Sequence, residues 1–364
     1  MANVVLLRRH SVVDAGADAP GLSGLIDLFA RRRRGRHDPF WLKENAEIVQ
    51  IMAACGLRPT DATLAPLVDE LNAIEDDLLF FPQYYRLLLS LALDLRDLGL
   101  RDVPVQAMAD LIHRRALISG ETSDMHRAEV LLLLQRAGYD WAQDAALEAR
   151  LRAFAENAPG FCLPNRRAAY DLTHIVFHAS DYGRRPFLDG AKVADSLINV
   201  GMVAWLEDNA DLLAEVTLAL RMAGQPIPPI WHDAVLARAR DVRFESATHL
   251  SLDDDYHQYL VLNWAVMAAG LPGFVAPVPI EARIIRQRPR AQMPLAEISQ
   301  ALLSMGRSRS ADWPQMRWRL WSLLSPESRA RIEALETMPQ FEAFFAGFAR
   351  PPGPSASPNL KGEK

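Results

Sequence analysis

Lysine is almost missing from this chain: only Lys43 and Lys192 lie in its body, with Lys361 and Lys364 near the C-terminus. Schiff-base chemistry therefore has two candidates. Cysteine is equally scarce. Cys55 and Cys162 cannot build a disulfide framework or a cysteine-rich zinc site, and two lone thiols fit a reducing compartment. Long hydrophobic runs are also lacking. The start, MANVVLLRRHSVVD, holds only Val4 to Leu7 before a double arginine, too short for a secretory signal core. The longest apolar stretch, Tyr259 to Leu271, contains Asn263 and Gly270 and falls short of the roughly 18 residues of a membrane span. The expectation is a cytoplasmic protein with no membrane partner. A net charge of -5 gives no global electrostatic reason for a nucleic-acid partner.

Several familiar motifs are missing as well. There is no G-x-x-x-x-G-K-[ST] phosphate loop, no G-x-G-x-x-G after a strand, no G-x-S-x-G elbow and no H-E-x-x-H. Nucleotide hydrolysis, a Rossmann dehydrogenase and a conventional serine hydrolase lose their usual support. Strand signals are weak, with no Asn-Gly or Asp-Gly hairpin turns between alternating runs.

Helical periodicity is strong instead. It predicts helices over Gly24–Arg34, Trp41–Cys55, Asp61–Ile74, Tyr84–Leu98, Val105–Ile118, Asp124–Ala137 and Trp141–Glu156. Further helices are expected at Arg166–Ser180, Gly190–Glu207, Asp211–Ala223, Ile230–Asp241 and Asp254–Ala269. The last group is Leu295–Met305, Trp313–Leu324, Pro326–Leu335 and Phe341–Ala349. Gly56, Gly99, Gly138, Gly224 and Gly270 each follow an apolar run, as C-terminal caps do. The fold class is all-α, either an α/α toroid or a large bundle of helical hairpins. Breaks such as NAPGFCLPN (Asn157–Asn165) suggest an N-terminal part over 1–160 and a C-terminal part over 161–350, possible pieces of one continuous domain. The Pro/Ser/Gly-rich tail, 351–364, is expected to be disordered.

Chemistry concentrates in Arg166 to Gly183, RRAAYDLTHIVFHASDYG. On a continuous helix Asp171, His174, His178 and Asp181 share an arc of about 80°. The remaining faces are apolar, so this polar stripe is expected to face an interior cavity or another helix. Burying such groups is costly unless they pair, bind a metal or line a wet pocket. His174 and His178 at i,i+4 can reach one ion, and Asp181 can add a carboxylate or fix an imidazole tautomer. A second cluster, ESATHLSLDDDYHQYLVLN, offers Asp253 or Asp254 as a helix N-cap and places His257 one turn into an apolar helix. His257 is the best distant partner for the stripe. Together they give the ligand set His174, His178, Asp181 and His257, of the kind that holds Fe(II) or catalytic zinc. Without a metal, histidine acts as general acid/base with the aspartate orienting it. His113, His126, His232, His10, His37 and His249 read as structural or exposed. The basic run Arg31 to Arg34 with Arg36 reads as a solvated helix C-terminus.

Three stretches, DPFWLKENAE (Asp38–Glu47), DLTHIVFHASDYG (Asp171–Gly183) and DDDYHQYLV (Asp253–Val261), resemble a family of uncharacterised bacterial helical proteins often encoded beside natural-product biosynthesis genes. The resemblance carries over His174, Asp181, Gly183, Tyr256 and His257. His178 departs from the pattern, where an aromatic such as tyrosine is expected. The resemblance implies a tailoring role on a small molecule or peptide. The combined expectation is an enzyme with His174, Asp181, His257 and Tyr256 as catalytic candidates. The alternative is a non-catalytic helical protein that binds a ligand or scaffolds a biosynthetic partner.

Overall fold

A computed structural model of the chain describes residues 21–139, 144–187, 189–247, 254–287 and 293–351, without the side chains of Asp69 and Glu70. Among these the fold is all-α, with seventeen α-helices and one two-stranded sheet. The first helices are α1 (Leu22–Asp27), α2 (Pro39–Ala54), α3 (Asp61–Leu71), α4 (Ile74–Phe80), α5 (Tyr85–Asp97), α6 (Val105–Arg114) and α7 (Asp124–Arg136). Then come α8 (Ala145–Ala155), α9 (Arg166–Ala179), α10 (Gly190–Leu206), α11 (Ala210–Met222) and α12 (Pro229–Ala239). The strand β1 (Val242–Ser246) precedes α13 (Tyr256–Ala268) and β2 (Ala282–Gln287) follows it. The chain closes with α14 (Pro294–Ser304), α15 (Trp313–Trp321), α16 (Pro326–Glu336) and α17 (Phe341–Ala349). None of these helices is long and apolar enough to cross a membrane.

The five glycines expected to end helices do so, each with φ between 67° and 105°. Only a residue without a Cβ takes that turn at little cost. The start of α8 expected at Trp141, the capping candidate Asp253, His10, His249, the segment Val4 to Leu7 and the tail beyond 351 lie outside the described residues.

The chain divides into two compact units that interleave along the sequence, where a sequential break at 160/161 was expected. The first draws its described residues from Met1–Leu151, His174–Phe187 and Val235–Arg288; the second from Arg152–Thr173, Leu188–Ala234 and Pro289–Lys364. In the first unit α2 packs on α5 and α13, burying Ile48, Val49, Met52, Leu89, Leu93 and Leu262. Each such side chain contributes about 1.5–3 kcal/mol by leaving water. In the second unit α10 packs on α11, and Gly201 lets the Trp231 ring approach: a Cβ there would stand 2.4 Å from its atoms. Trp313 meets Phe341 and Phe345 of α17 edge-on at 5.0 and 4.7 Å, an arrangement the ring quadrupoles favour.

The basic run departs from the expectation of a solvated helix end. After α1 the chain takes a π-helical turn, Leu28–Arg33, and its wider winding carries Arg33 into the interior. The Arg33 side chain is 0% exposed, that of Glu44 is 1% and that of Asp254 is 4%. Arg33 donates through Nε and Nη2 to Glu44 at 2.8 and 3.1 Å, and through Nη1 to Asp254 and to the Arg283 carbonyl, each at 2.8 Å. Arg34 reaches the same Glu44 at 2.5 Å, and Arg36 pairs with Asp77. The Arg33 guanidinium also lies over Phe29 and Tyr256. Burial opposes its charge, but the hydrogen bonds and charges of Glu44 and Asp254 more than offset this and raise its pKa.

The aspartates before α13 do more than cap it. Asp254 accepts from the Tyr256 amide at 2.8 Å and from the Ile285 amide, while Asp255 accepts from the Gln287 amide at 3.0 Å. They tie the start of α13 to β2, which pairs antiparallel with β1 around Phe244 and Ile285.

Candidate functional site

Helix α9 is apolar on most faces, and Leu172, Ile175, Val176 and Phe177 are all buried. His178 is carried inward with them and is 6% exposed, while His174, one turn earlier, is half-buried. The two imidazoles lie 6.0 Å apart at 26°. Asp171 does not join them in the interior; it lies 3.9 Å from the exposed Arg167 on its own helix.

Asp181 is placed differently from the sequence expectation. The arc that grouped it with the histidines assumed an unbroken helix, but α9 ends at Ala179. Asp181 and Tyr182 then adopt left-handed φ values of 47° and 53°, ahead of Gly183 at 84°. The turn is closed by the Gly183 amide donating to the Ser180 hydroxyl at 3.1 Å. Asp181 accepts from Arg184 at 3.1 Å and lies 4.0 Å from Arg136. Arg136 in turn donates to the fully buried Asp94 at 2.7 Å. Asp181 thus belongs to an ion cluster with Arg136, Arg184 and Asp94.

The same turn brings Tyr182 inward. Its ring stands edge-on to His178 at 5.8 Å, and Trp264 of α13 lies against both Phe177 and Tyr182, at 5.1 and 6.2 Å. Burial raises the Tyr182 pKa well above the phenol range, and its side chain hydrogen-bonds Gln50 of α2. His178 is pushed down to about 3, first by burial and then by the charges of Arg86 and His126. Its imidazole is therefore neutral at any ordinary pH, and its Nδ1 is buried without a hydrogen-bond partner among the described residues. An unpaired buried nitrogen costs about 1–3 kcal/mol. Nearby charge is held by Arg86, which binds both Glu121 and Glu129, with Tyr85 donating to Glu121 at 2.7 Å.

At the start of α13, Tyr256 and His257 are half-buried, their rings 6.3 Å apart. Burial raises the Tyr256 pKa, helped by Glu47, to which it hydrogen-bonds, and by Glu44. One Glu47 oxygen is buried with no partner. The structure thus brings His174 to His178, His178 to Tyr182, and Tyr256 to Glu47. It does not assemble the expected ligand set of His174, His178, Asp181 and His257. Among the described residues His174, His178 and Asp181 enter no group of three His, Cys, Asp or Glu whose ligand atoms lie within 4.8 Å of one another.

Sequence reasoning missed a carboxylate pair in the second unit. Asp211 and Glu215, one turn apart on α11, present oxygens within 4.8 Å of each other, and Glu215 is 2% exposed. Tyr170 donates to Asp211 at 2.7 Å and Thr173 to Glu215 at 2.5 Å. The signal was available: ADLLAEVTLAL places two acids at i,i+4 in a helix otherwise apolar enough to be core. Gln50 and Glu47 were missed for a different reason: Gln50 falls outside the motif stretch, and the tyrosines they meet, Tyr182 and Tyr256, lie far along the chain.

No curated protein and no solved structure matches the chain. A family model described as a domain of unknown function, DUF6902, matches residues 1–351, and the chain belongs to that family.

Proposed function

We propose that this protein is an enzyme that tailors a small molecule or peptide, in bacterial secondary metabolism as the sequence resemblance implies, using the histidine pair of α9. The observation that carries this reading is His178: a neutral imidazole with an unmatched Nδ1, walled by Tyr182 and stacked beside the more accessible His174. A fold has no stabilising reason to bury an unsatisfied nitrogen, whereas a site that must accept or donate one hydrogen bond to a bound molecule does.

In this reading His174 exchanges the proton, as the half-buried and more accessible imidazole of the pair. His178 stays neutral and positions substrate through Nδ1, and Phe177, Tyr182 and Trp264 shield it from water. Tyr256 and His257 are held at the start of α13 by the aspartate ties to β2. Asp181, committed to Arg136 and Arg184, carries no step.

The test is incubation of the protein with a small-molecule extract of its source organism, compared by mass spectrometry with His174→Ala and His178→Ala. A product formed by wild type and lost in both variants supports the proposal; identical profiles for all three overturn it. Elemental analysis of the same samples separates the two chemistries. Near-stoichiometric iron or zinc, lost in both variants, makes the pair metal ligands; activity without metal assigns general acid–base catalysis.

A further inference from the structure

The first unit also holds a partly open, mostly apolar cavity of about 160 Å³ between the start of α2 and helices α3, α4 and α5. Its inner wall is aliphatic: Leu67, Leu71, Ile74, Leu88, Leu91 and Leu95. All but Leu71 are buried, so the inner end of the cavity belongs to the packed interior, while the exposed His37, Pro39 and Phe81 mark an open mouth. Interiors pack with few voids larger than a water, and an apolar void offers water no hydrogen bonds. A cavity of about 150 Å³ lined by such residues stays dry and admits benzene. This one has that size, and its inner end has that lining, with polar groups only toward its mouth.

The polar groups on the rim select among ligands of that size. Arg36 and Asp77 face each other at 2.6 Å across the gap between the α2 approach and α4. Asp38 accepts from the Phe40 amide and from Arg34. Each carboxylate at the rim is matched by a guanidinium, so the entrance carries no net charge that would draw in an anion or a cation. The Trp41 indole N–H is committed to the Ala30 carbonyl at 2.9 Å. Tyr84 and His37 bring hydrogen-bonding groups to the lining. Beside the rim, Phe40 is 55% exposed and Phe80 78% exposed, and Phe81, itself part of the lining, touches Phe80 at 4.7 Å. Large aromatic residues left in water beside an apolar hole form a landing surface for an apolar molecule.

We propose that this cavity is a binding site for a neutral, mostly apolar molecule between benzene and indole in size, bearing at most one hydroxyl or N–H. The site lies among helices that do not contribute the α9 histidines, and the proposal stands whether or not those histidines are catalytic.

The test is calorimetric titration of the full chain with phenol and indole, alongside benzoate and benzylamine as charged partners of the same size. Phenol and indole are expected to bind at least tenfold more tightly than either charged probe. Leu88→Phe, which fills the cavity, is expected to abolish binding. Should that variant misfold, Leu71→Phe at the half-buried edge tests the same point with less strain. Asp77→Asn removes the carboxylate that faces Arg36 and is expected to tighten benzoate about tenfold while leaving indole unchanged. The proposal is overturned if neither neutral probe binds up to its solubility, or if binding survives both filling variants.

Discussion

Replacing Glu44 by glutamine changes the side-chain volume hardly at all, yet it should be among the most damaging single substitutions in the first unit. Glu44 accepts from two nitrogens of Arg33 and from Arg34, and its side chain is 1% exposed. In Glu44→Gln one acceptor oxygen becomes an NH2 that faces donors, and Arg33 keeps Asp254 as its remaining carboxylate partner. Removing one member of a buried ion pair costs about 3–5 kcal/mol, because the other charge stays in low dielectric without compensation. At about 2–4 °C per kcal/mol for a domain of this size, the melting temperature should fall by about 6–20 °C. The measurement is urea unfolding followed by circular dichroism at pH 7, with the midpoint shift read at unchanged slope. Arg33→Lys should lose a comparable amount, since an ammonium cannot fork between Glu44 and Asp254 while lying flat between Phe29 and Tyr256. A loss below about 1 kcal/mol for Glu44→Gln would show that the network is solvated in solution, and the reasoning would fail.

Three further outcomes are expected. His178 has a folded-state pKa near 3, below its unfolded value, so the unfolded chain binds the extra proton and stability falls as pH drops from about 6.5 toward 3. Between pH 7 and 5 the wild type should lose about 2 kcal/mol relative to His178→Leu; parallel stability curves would contradict a buried neutral imidazole. Gly201→Ala in α10 should cost about 1–3 kcal/mol or more by thermal denaturation, since the new methyl meets the rigid Trp231 ring at 2.4 Å and a wild-type melting point would refute the contact. Asp94→Asn should cost about 3–5 kcal/mol in urea, because Arg136 loses its fully buried partner; a change within about 0.5 kcal/mol would mean that Asp97 and Asp181 suffice.

Much of the fold was legible because helices announce themselves locally. The apolar stripe, the capping residue and the closing glycine all lie within one turn of the boundary they set, and every helix expected from the sequence has a counterpart. What escaped was short or depended on distant partners. Helix α4, IEDDLLF, offers a single turn or two of pattern, and the preceding expected helix ends at Ile74. The strands VRFES and ARIIRQ are brief and interrupted by charge, and the residues they pair, from Ser246 with Ala282 to Val242 with Gln287, lie too far apart for any local window. The basic run followed the local rule for helix ends, but its partners Glu44 and Asp254 lie 11 and 221 residues from Arg33. Asp181 was misplaced because extrapolating 100° per residue cannot see that the helix stops two residues earlier.

The three motif stretches have more to do with one another than their separate readings implied. LKENAE supplies Glu44 and DDDYH supplies Asp254, and a single arginine joins them in the interior. The same helix α2 offers Glu47 to Tyr256 and Gln50 to Tyr182, so the DYG stretch reaches it as well. Glu44, Glu47, Tyr182, Asp254 and Tyr256 are therefore engaged in holding α2, α13 and the turn after α9 together. A buried ion pair that must be satisfied on every side constrains sequence as strongly as a reacting group would, so a shared motif is evidence for a shared interior before it is evidence for shared chemistry. Subtracting what that interior explains leaves His178, buried and with a nitrogen unmatched, as the polar residue of the stripe with no such structural use. It is also the position at which this chain departs from the pattern its stretches resemble. A tyrosine there would bring a hydroxyl where His178 brings a ring nitrogen, so the substitution changes what the site can offer a bound molecule more than it changes the packing around it.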